Sequence, residues 1–419
     1  LRGDPWEKGW LVFYRETLAR VRRAWHDRRF IPIGGMNPPA LAARVPGLDT
    51  LRALAIALVV LHHYTLFVSG ADTFGPLGQI GWVGVDLFFA LSGYLIGNQI
   101  FTALRGDGGF SLTRFYARRL LRTLPAYYAV LALYFLWPAF RTGLALPPLW
   151  KFISFTQNIA LNPGTAFSHA WSLCIEEQFY LLLPGAALLI AARRHPLRWA
   201  WAVIGMVILA GMLVRAWLWR TGLAQPAQAL HNYYQSIYYA SWCRLDELVV
   251  GVALALLKNH HRASWRRITA RAELTLGGGA LVTALACSLF LRDHFGFGVT
   301  VFGYPLLALG FGLLIVAALS AGSPLHRWRV PGASSLALWS YAIYLSHKPV
   351  CILAARAGRA AGHDPQSAPV IASLLALSVL AGWLLYRLVE APCMALRVRI
   401  APDRGGRPAP LAALAPTLR

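Results

Sequence analysis

Acidic residues are scarce in this sequence. Of 419 residues, 17 are Asp or Glu against 40 Lys or Arg, and all charged residues together make up only 14% while hydrophobic residues make up 57%. So few charges exclude an ordinary soluble globular protein. Cysteine is also sparse. Cys174, Cys243, Cys287, Cys351 and Cys393 form no CxxC pair and have no histidine at ligand spacing, which points to buried structural thiols and away from a metal site or disulfide framework. No resident-cofactor fingerprint is present. Apolar runs are continuous, without the period-two alternation of a membrane β-barrel. Internal repeats are not evident, which disfavours the common transporter folds. The basic runs lack the interleaved aromatics of a nucleic-acid binder, so no nucleic-acid partner is expected.

What is present is oil in regular lengths. Ten apolar runs of about 18 to 22 residues, approximately 50–69, 80–102, 123–141, 172–192, 199–219, 239–257, 274–291, 299–319, 334–355 and 369–389, are each long enough to cross a hydrocarbon core of roughly 30 Å as a helix. The expected fold is an all-α, polytopic membrane helix bundle of about ten transmembrane helices. Placing the N-terminus in the cytoplasm puts 30 of the 40 Lys and Arg residues in cytoplasmic segments, so the positive-inside rule predicts both termini on that side. The net charge of +23 is then a topology signal plus attraction to anionic lipid.

Three parts are expected: a basic cytoplasmic segment over 1–47, a membrane domain over 48–392 and a basic, Pro/Ala-rich tail over 393–419. The first begins at Leu1 without Met and has no apolar core of a signal peptide. Either translation starts at Met36 and the upstream part is surplus, or Leu11–Phe30 forms a basic amphipathic helix on the inner leaflet. The tail from Ala401 reads as disordered.

Several spans carry polar groups that an apolar helix does not need. In "LDTLRALAIALVVLHHYTLF", Arg52 and His63 are eleven residues apart, close to three full turns, so both face one side about 16 Å apart. With Arg52 at the cytoplasmic mouth, His63 is expected near mid-membrane, where an ionisable group is a functional candidate facing the bundle interior. An interfacial anchor for Arg52 and a neutral, helix-bonded His63 are the structural alternatives. In "GWVGVDLFFALSGYLIG", Gly84, Ser92, Gly93 and Gly97 suit close helix packing, whereas Asp86 is harder to assign to packing. "RFYARRLLRTLP" sets Arg114, Arg118 and Arg122 in an i, i+4, i+8 stripe with Arg119 beside it. This is either positive-inside anchoring or a phosphate clamp.

"SHAWSLCIEEQFYLLLP" brings Glu176 and Glu177 into the fourth span, with His169 just outside and Tyr180 a turn below. At least one carboxylate is expected to face a polar cavity and to orient a histidine or arginine. In "SWCRLDELVVG", Arg244 is expected in a structural ion pair with Glu247 or Asp246. "SYAIYLSHKPV" adds Tyr341, Tyr344 and His347 near the outer face, as interfacial aromatics and a candidate histidine.

In order and spacing, Arg-x10-His, "DLFFALSGYLI", "RFYARRLLRTLPAYY", "HAWSLCIEEQFYLLLP", "RLDELVVG", "YAIYLSHKPV" and "YRLVEAP" resemble the acyltransferase-3 family of integral-membrane O-acyltransferases, from about Leu48 to Pro392. The resemblance implies a multi-pass protein of a bacterial inner membrane. It would transfer an acyl group, usually acetyl, from cytoplasmic acyl-coenzyme A to a hydroxyl of a glycan or other acceptor, with no permanently bound cofactor. By residue, Arg52 and His63 match the family's essential first-helix pair, the Arg114–Arg122 stripe its arginine motif, Glu176 the first glutamate of its Glu-Glu motif and His347 the histidine near its ninth span. Joined to the residue reading, this makes His63, Arg52, Glu176 and Glu177 the catalytic candidates, Arg114, Arg118, Arg119 and Arg122 the acyl-coenzyme A site, and Asp86, Ser92, His169, Tyr180 and His347 acceptor-side or supporting candidates. His62 is an extra histidine beside the expected one, although helical phase favours His63. No appended hydrolase-like domain is expected after the tenth span. The competing class is a proton-coupled transporter using the same intramembrane His, Glu and Arg groups.

Overall fold

The computed structural model describes residues 45–106, 109–222 and 228–401. The basic segment upstream, with Met36 and the expected Leu11–Phe30 helix, and the tail beyond Ala401 lie outside the described residues. Among the described residues there is no strand, and the ten longest helices occupy the places of the ten expected spans. They are α1 Pro46–Tyr64, α2 Val83–Arg105, α3 Leu112–Leu136, α4 Trp171–Ala191, α5 Pro196–Gly222, α6 Asp246–His260, α7 Ala272–Arg292, α8 Tyr304–Leu319, α9 Ala333–Ala360 and α10 Ala368–Leu385. The chain is an all-α, multi-pass integral membrane bundle.

Seven of the ten, counted with the turns that extend α1, α4, α8 and α10, are long and apolar enough to cross a membrane by length and composition. The other three are α3, α6 and α9. Helix α3 begins at Leu112 rather than near 123, because Ser111 caps it by accepting the Arg114 backbone N–H at 3.3 Å and the arginines continue the helix. Helix α9 runs 28 residues but carries Ser340, Tyr344, Ser346, His347 and Lys348. Helix α6 has only 15 residues, roughly 22 Å at 1.5 Å per residue. Its expected first turns leave the α-helix at Ser241–Cys243, and Arg244 takes a non-helical backbone.

That break in α6 has a physical cause. Arg244 turns inward to an ion pair with Asp86 of α2, both side chains fully enclosed, and its guanidinium lies 4.2 Å from the ring centre of Tyr304, 4.8 Å from Tyr238 and 5.3 Å from Trp171. The expected partners Glu247 and Asp246 are therefore not the ones used. Asp246 instead takes a two-pronged pair from Arg215 of α5 at 2.5 and 3.1 Å, and Arg215 also donates to the Cys243 and Val301 carbonyls. Asp86, expected among the supporting site residues, is thus a structural partner.

Small residues set the closest helix approach. A methyl built on Gly93 of α2 would collide with the Leu248 carbonyl, and one on Gly251 of α6 with the Ala90 carbonyl, so these two backbones touch. Gly84 meets α1 at the Ala55 carbonyl in the same way, and Gly97 would lie 3.0 Å from the Ala255 methyl. Helix α8, without a charged residue, runs through the enclosed middle. Helix α5 is peripheral: it buries only Gly211 and Arg215 and presents Met206, Leu209, Leu213 and Trp217 outward, as lipid contact requires.

Removing one member of a buried pair leaves an uncompensated charge, at a cost of about 3–5 kcal/mol. Arg244→Met alone is expected to lower the thermal unfolding temperature of the detergent-solubilised protein sharply. Arg244→Met with Asp86→Leu should recover most of the loss; a double variant no better than the single one contradicts the pairing.

Candidate active site

Helix α1 carries both members of the Arg-x10-His pair. Within the apolar run Pro46–Ser69, Arg52 is roughly 9 Å from one end and His63 roughly 9 Å from the other. Each thus sits about six residues inside one end of the run, Arg52 near its start and His63 near its finish. His62 points elsewhere. Its Nδ1 lies 2.8 Å from the Gly78 carbonyl, so it donates to that acceptor and fastens the short Pro76–Ile80 helix to α1.

His63 meets two other histidines that the sequence holds far apart. Its Nδ1 is 2.7 Å from His347 Nε2 of α9, with the two rings nearly parallel at 4°. His169, at the start of α4, stands edge-on to both, 6.0 Å from the His63 ring centre and 5.6 Å from that of His347. His347 is 1% exposed and His169 3%, while His63 is half-buried.

The hydrogen positions follow from acceptors that cannot donate. His347 Nδ1 lies 2.9 Å from the Ile343 carbonyl, so that nitrogen carries the hydrogen. In a neutral ring Nε2 then holds the lone pair. It accepts from His63 Nδ1–H, which leaves the lone pair of His63 on Nε2. The expectation that Glu176 or Glu177 orients His63 is replaced: the His347 ring, keyed to its own helix backbone, does so.

Pro349 explains the third histidine. A proline inside α9 has no N–H for the carbonyl four residues back, which is that of Leu345. His169 Nε2 approaches this carbonyl at 3.4 Å, leaving His169 Nδ1 buried without a hydrogen-bond partner. Beside the imidazoles lies Lys348, 4% exposed, donating to Ser168 Oγ at 3.3 Å with its ammonium 3.7 Å from the Phe67 ring centre. Sequence reasoning passed over Lys348. A lysine in so apolar a helix was itself the signal.

A cavity of 540 Å³ leads toward this cluster. Arg52, Arg118, Arg119, Arg122 and Arg397 line it, with Glu176, Glu177, Ser92 and Tyr180. Five guanidiniums against two carboxylates make it a net positive chamber, suited to anions. Arg119 stacks 4.2 Å over the Tyr180 ring, and the Tyr180 hydroxyl bonds Ser92 Oγ. Ser92 therefore faces the cavity, unlike its glycine neighbours. Arg52 shares the electrostatic surroundings of Arg122, Asp49, Glu176 and Glu390. Of the arginine stripe, Arg114 does not line the cavity, whereas Arg397 of the Ala391–Ile400 helix, not anticipated, does.

Between cavity and imidazoles stand Ser172 and Tyr344, which line the cavity. Tyr344 donates to the His169 carbonyl at 2.6 Å and accepts from Ser172 Oγ at 2.6 Å. One layer of side chains thus separates the positive chamber from the histidines. Among the described residues no group of His, Cys, Asp and Glu is arranged to hold a metal ion.

Comparison with known proteins gives the same direction. The acyltransferase-3 profile, described as an acyltransferase domain, matches residues 45–387. The chain is 28% identical over 332 residues to a putative peptidoglycan O-acetyltransferase, YrhL, of Bacillus subtilis, covering 74% of this chain and 49% of that protein. It is 28% identical over 339 residues to the peptidoglycan O-acetyltransferase OatA of Listeria monocytogenes, covering 74% and 50%. A putative membrane-bound transacylase, BcsY, of Komagataeibacter xylinus is 28% identical over 362 residues, covering 82% and 81%. The chain thus spans about half the length of the first two and most of the third. No solved structure matches it significantly. With the profile extending over nearly the whole membrane bundle, the chain belongs to the acyltransferase-3 family of integral-membrane acyltransferase domains.

Proposed function

We propose that the protein is a membrane-embedded O-acyltransferase that moves an acyl group, acetyl in the simplest case, from acyl-coenzyme A to a hydroxyl of a glycan. The observation that carries this reading is the junction of a positive chamber with a histidine whose basic nitrogen is fixed. The family and the names of the relatives favour it over a proton-coupled transporter built on the same groups.

The chamber suits the donor. Coenzyme A is a polyanion, and Arg52, Arg118, Arg119 and Arg122 offer forked donors to its phosphates. On this reading the arginine end of the bundle faces the cytoplasm, which the positive-inside count supports, and the membrane is a bacterial inner membrane. The pantetheine arm lies along the apolar lining of Phe88, Leu91 and Leu95, and the thioester reaches Ser172 and Tyr344, the layer that has to move aside for it to meet the acceptor at the histidines.

The chemistry then falls to His63. Its Nε2 takes the proton of the acceptor hydroxyl as the oxygen bonds to the thioester carbonyl carbon. The carbon–sulfur bond breaks, and the proton passes from the imidazolium to the departing coenzyme A thiolate. His347 keeps His63 in the required tautomer, and Lys348 supplies positive charge beside the reacting centre. Dry surroundings protect the thioester from water.

Inverted membrane vesicles supplied with labelled acetyl-coenzyme A and a lipid-linked glycan extract test this reading. Label should enter glycan with the wild type and not with His63→Ala at matched expression; equal incorporation by both removes His63 from the reaction. His347→Ala should lower kcat by about 10²-fold or more, the scale of a lost general base, with the donor KM unchanged. Arg119→Gln or Arg122→Gln should raise the donor KM about tenfold, corresponding to about 1.4 kcal/mol. The remaining arginine dependence should weaken with salt; a donor KM indifferent to both variants contradicts the phosphate site.

A further inference from the structure

The connection between α3 and α4 contains a second cavity, of 240 Å³, whose lining includes Lys151, Gln157, Asn162 and Thr165. Gln157 is 1% exposed, and neither its Oε1 nor its Nε2 has a hydrogen-bond partner. The Cys174 thiol lies beside it but gives its hydrogen to the Ala170 carbonyl. Its neighbour Asn158, equally buried, shows the contrast. Asn158 donates to the Tyr239 carbonyl at 3.0 Å and Ser241 Oγ at 2.8 Å, and accepts from Gln178 Nε2 at 3.1 Å. One amide thus ties the loop to the bundle, and the other lines a cavity with no hydrogen bond at either end beyond its approach to the Cys174 sulfur. A buried amide without partners costs about 1–3 kcal/mol, so this one calls for a partner from outside the chain, a water or a ligand.

The same connection is held in an unfavourable backbone. All four non-glycine residues with left-handed φ among the described residues, Thr142, Phe155, Ala160 and Phe167, lie within it. Such strain gathers at binding and catalytic segments. It is held by particular contacts: Gln178 donates to the Phe155 carbonyl at 2.7 Å, and Arg356 to that of Thr142 at 2.7 Å. The connection also leads directly to the histidines. Thr165, on the cavity wall, is four residues from His169, and the Phe167 ring packs 5.2 Å from the His169 ring.

We infer that this cavity is a saccharide subsite, in which the Gln157 amide accepts from one sugar hydroxyl and donates to a neighbouring oxygen, with Asn162, Thr165 and Lys151 around it. An amide with one free acceptor and one free donor end matches the alternating donors and acceptors of a neutral sugar ring. The cavity holds one ring rather than a chain, so the rest of the acceptor extends outward past the exposed Asn162 side. The saccharide's role as the acylated acceptor rests on the O-acyltransferase reading; its binding here does not.

The test uses the full chain in detergent, titrated calorimetrically with cellotetraose and with its N-acetylated counterpart, chitotetraose. The wild type should bind at least one. Gln157→Met, which keeps the shape and removes the unpaired amide, should weaken that binding tenfold or more while leaving the donor KM unchanged and the unfolding temperature equal to or above that of the wild type. Asn158→Ala should lower the unfolding temperature. A wild type that binds neither saccharide, or a Gln157→Met variant that binds as the wild type does, overturns the subsite. So does a variant whose binding is lost only together with its unfolding temperature, since Gln157 then serves packing. Saccharide binding by a wild type that transfers no acyl group would instead sink the acyltransferase reading and leave the subsite standing.

Discussion

One hydrogen-bonded chain fixes the chemistry of this site: the Ile343 carbonyl to His347 Nδ1, and His347 Nε2 to His63 Nδ1. A carbonyl can only accept, so the direction of every hydrogen along that chain is set by the backbone of α9. The consequence appears across the next ring, where His63 Nε2 is left with the lone pair. Two long helices must be held side by side for this to work. The bundle does so through contacts just beyond the histidines, such as the Tyr64 hydroxyl on the Pro365 carbonyl at 2.7 Å and Arg359 on the Val68 carbonyl at 2.5 Å.

The polar residues of the bundle divide into two populations. Asp86, Arg244, Arg215 and Asp246 are paired with one another and enclosed by rings, which lets α6 be short and lets α2 and α6 touch through Gly93 and Gly251. Glu176, Glu177, Ser92, Tyr180 and the arginines line space instead. The paired charges of the first population neutralise one another, whereas the chamber keeps an excess of positive charge. The three helices least suited to lipid by length or composition, α3, α6 and α9, each contribute to one of these groups: the cavity arginines Arg118, Arg119 and Arg122, the paired Asp246, and His347 of the histidine cluster. Their neighbours and the cavity solvate what hydrocarbon would not.

Much of this was legible in the sequence. Ten apolar runs gave the ten helix places, and helical phase singled out His63 over His62, which the structure turns toward Gly78. The family resemblance, read from motifs, agrees with the profile match over 45–387. What stayed hidden were pairings between distant segments. Nothing in "SWCRLDELVVG" says that Arg244 reaches Asp86 when Glu247 and Asp246 are adjacent in the chain. Nor does spacing reveal that residues 63, 169 and 347 converge, or that Pro349 frees a carbonyl for His169. The partner assigned to His63 was wrong for the same reason: a carboxylate is the commoner orienting group, and a second imidazole fixed by its own backbone has no local sequence signal.

The most direct test of the account is the tautomer of His63, read by nitrogen-15 NMR on protein labelled at histidine, with its resonances assigned by difference from His63→Asn. The account predicts a neutral ring at neutral pH, protonated at Nδ1 and bearing its lone pair at Nε2. A ring protonated at Nε2 alone, or a charged imidazolium, would contradict it, because neither leaves at Nε2 the lone pair that the proposed transfer requires.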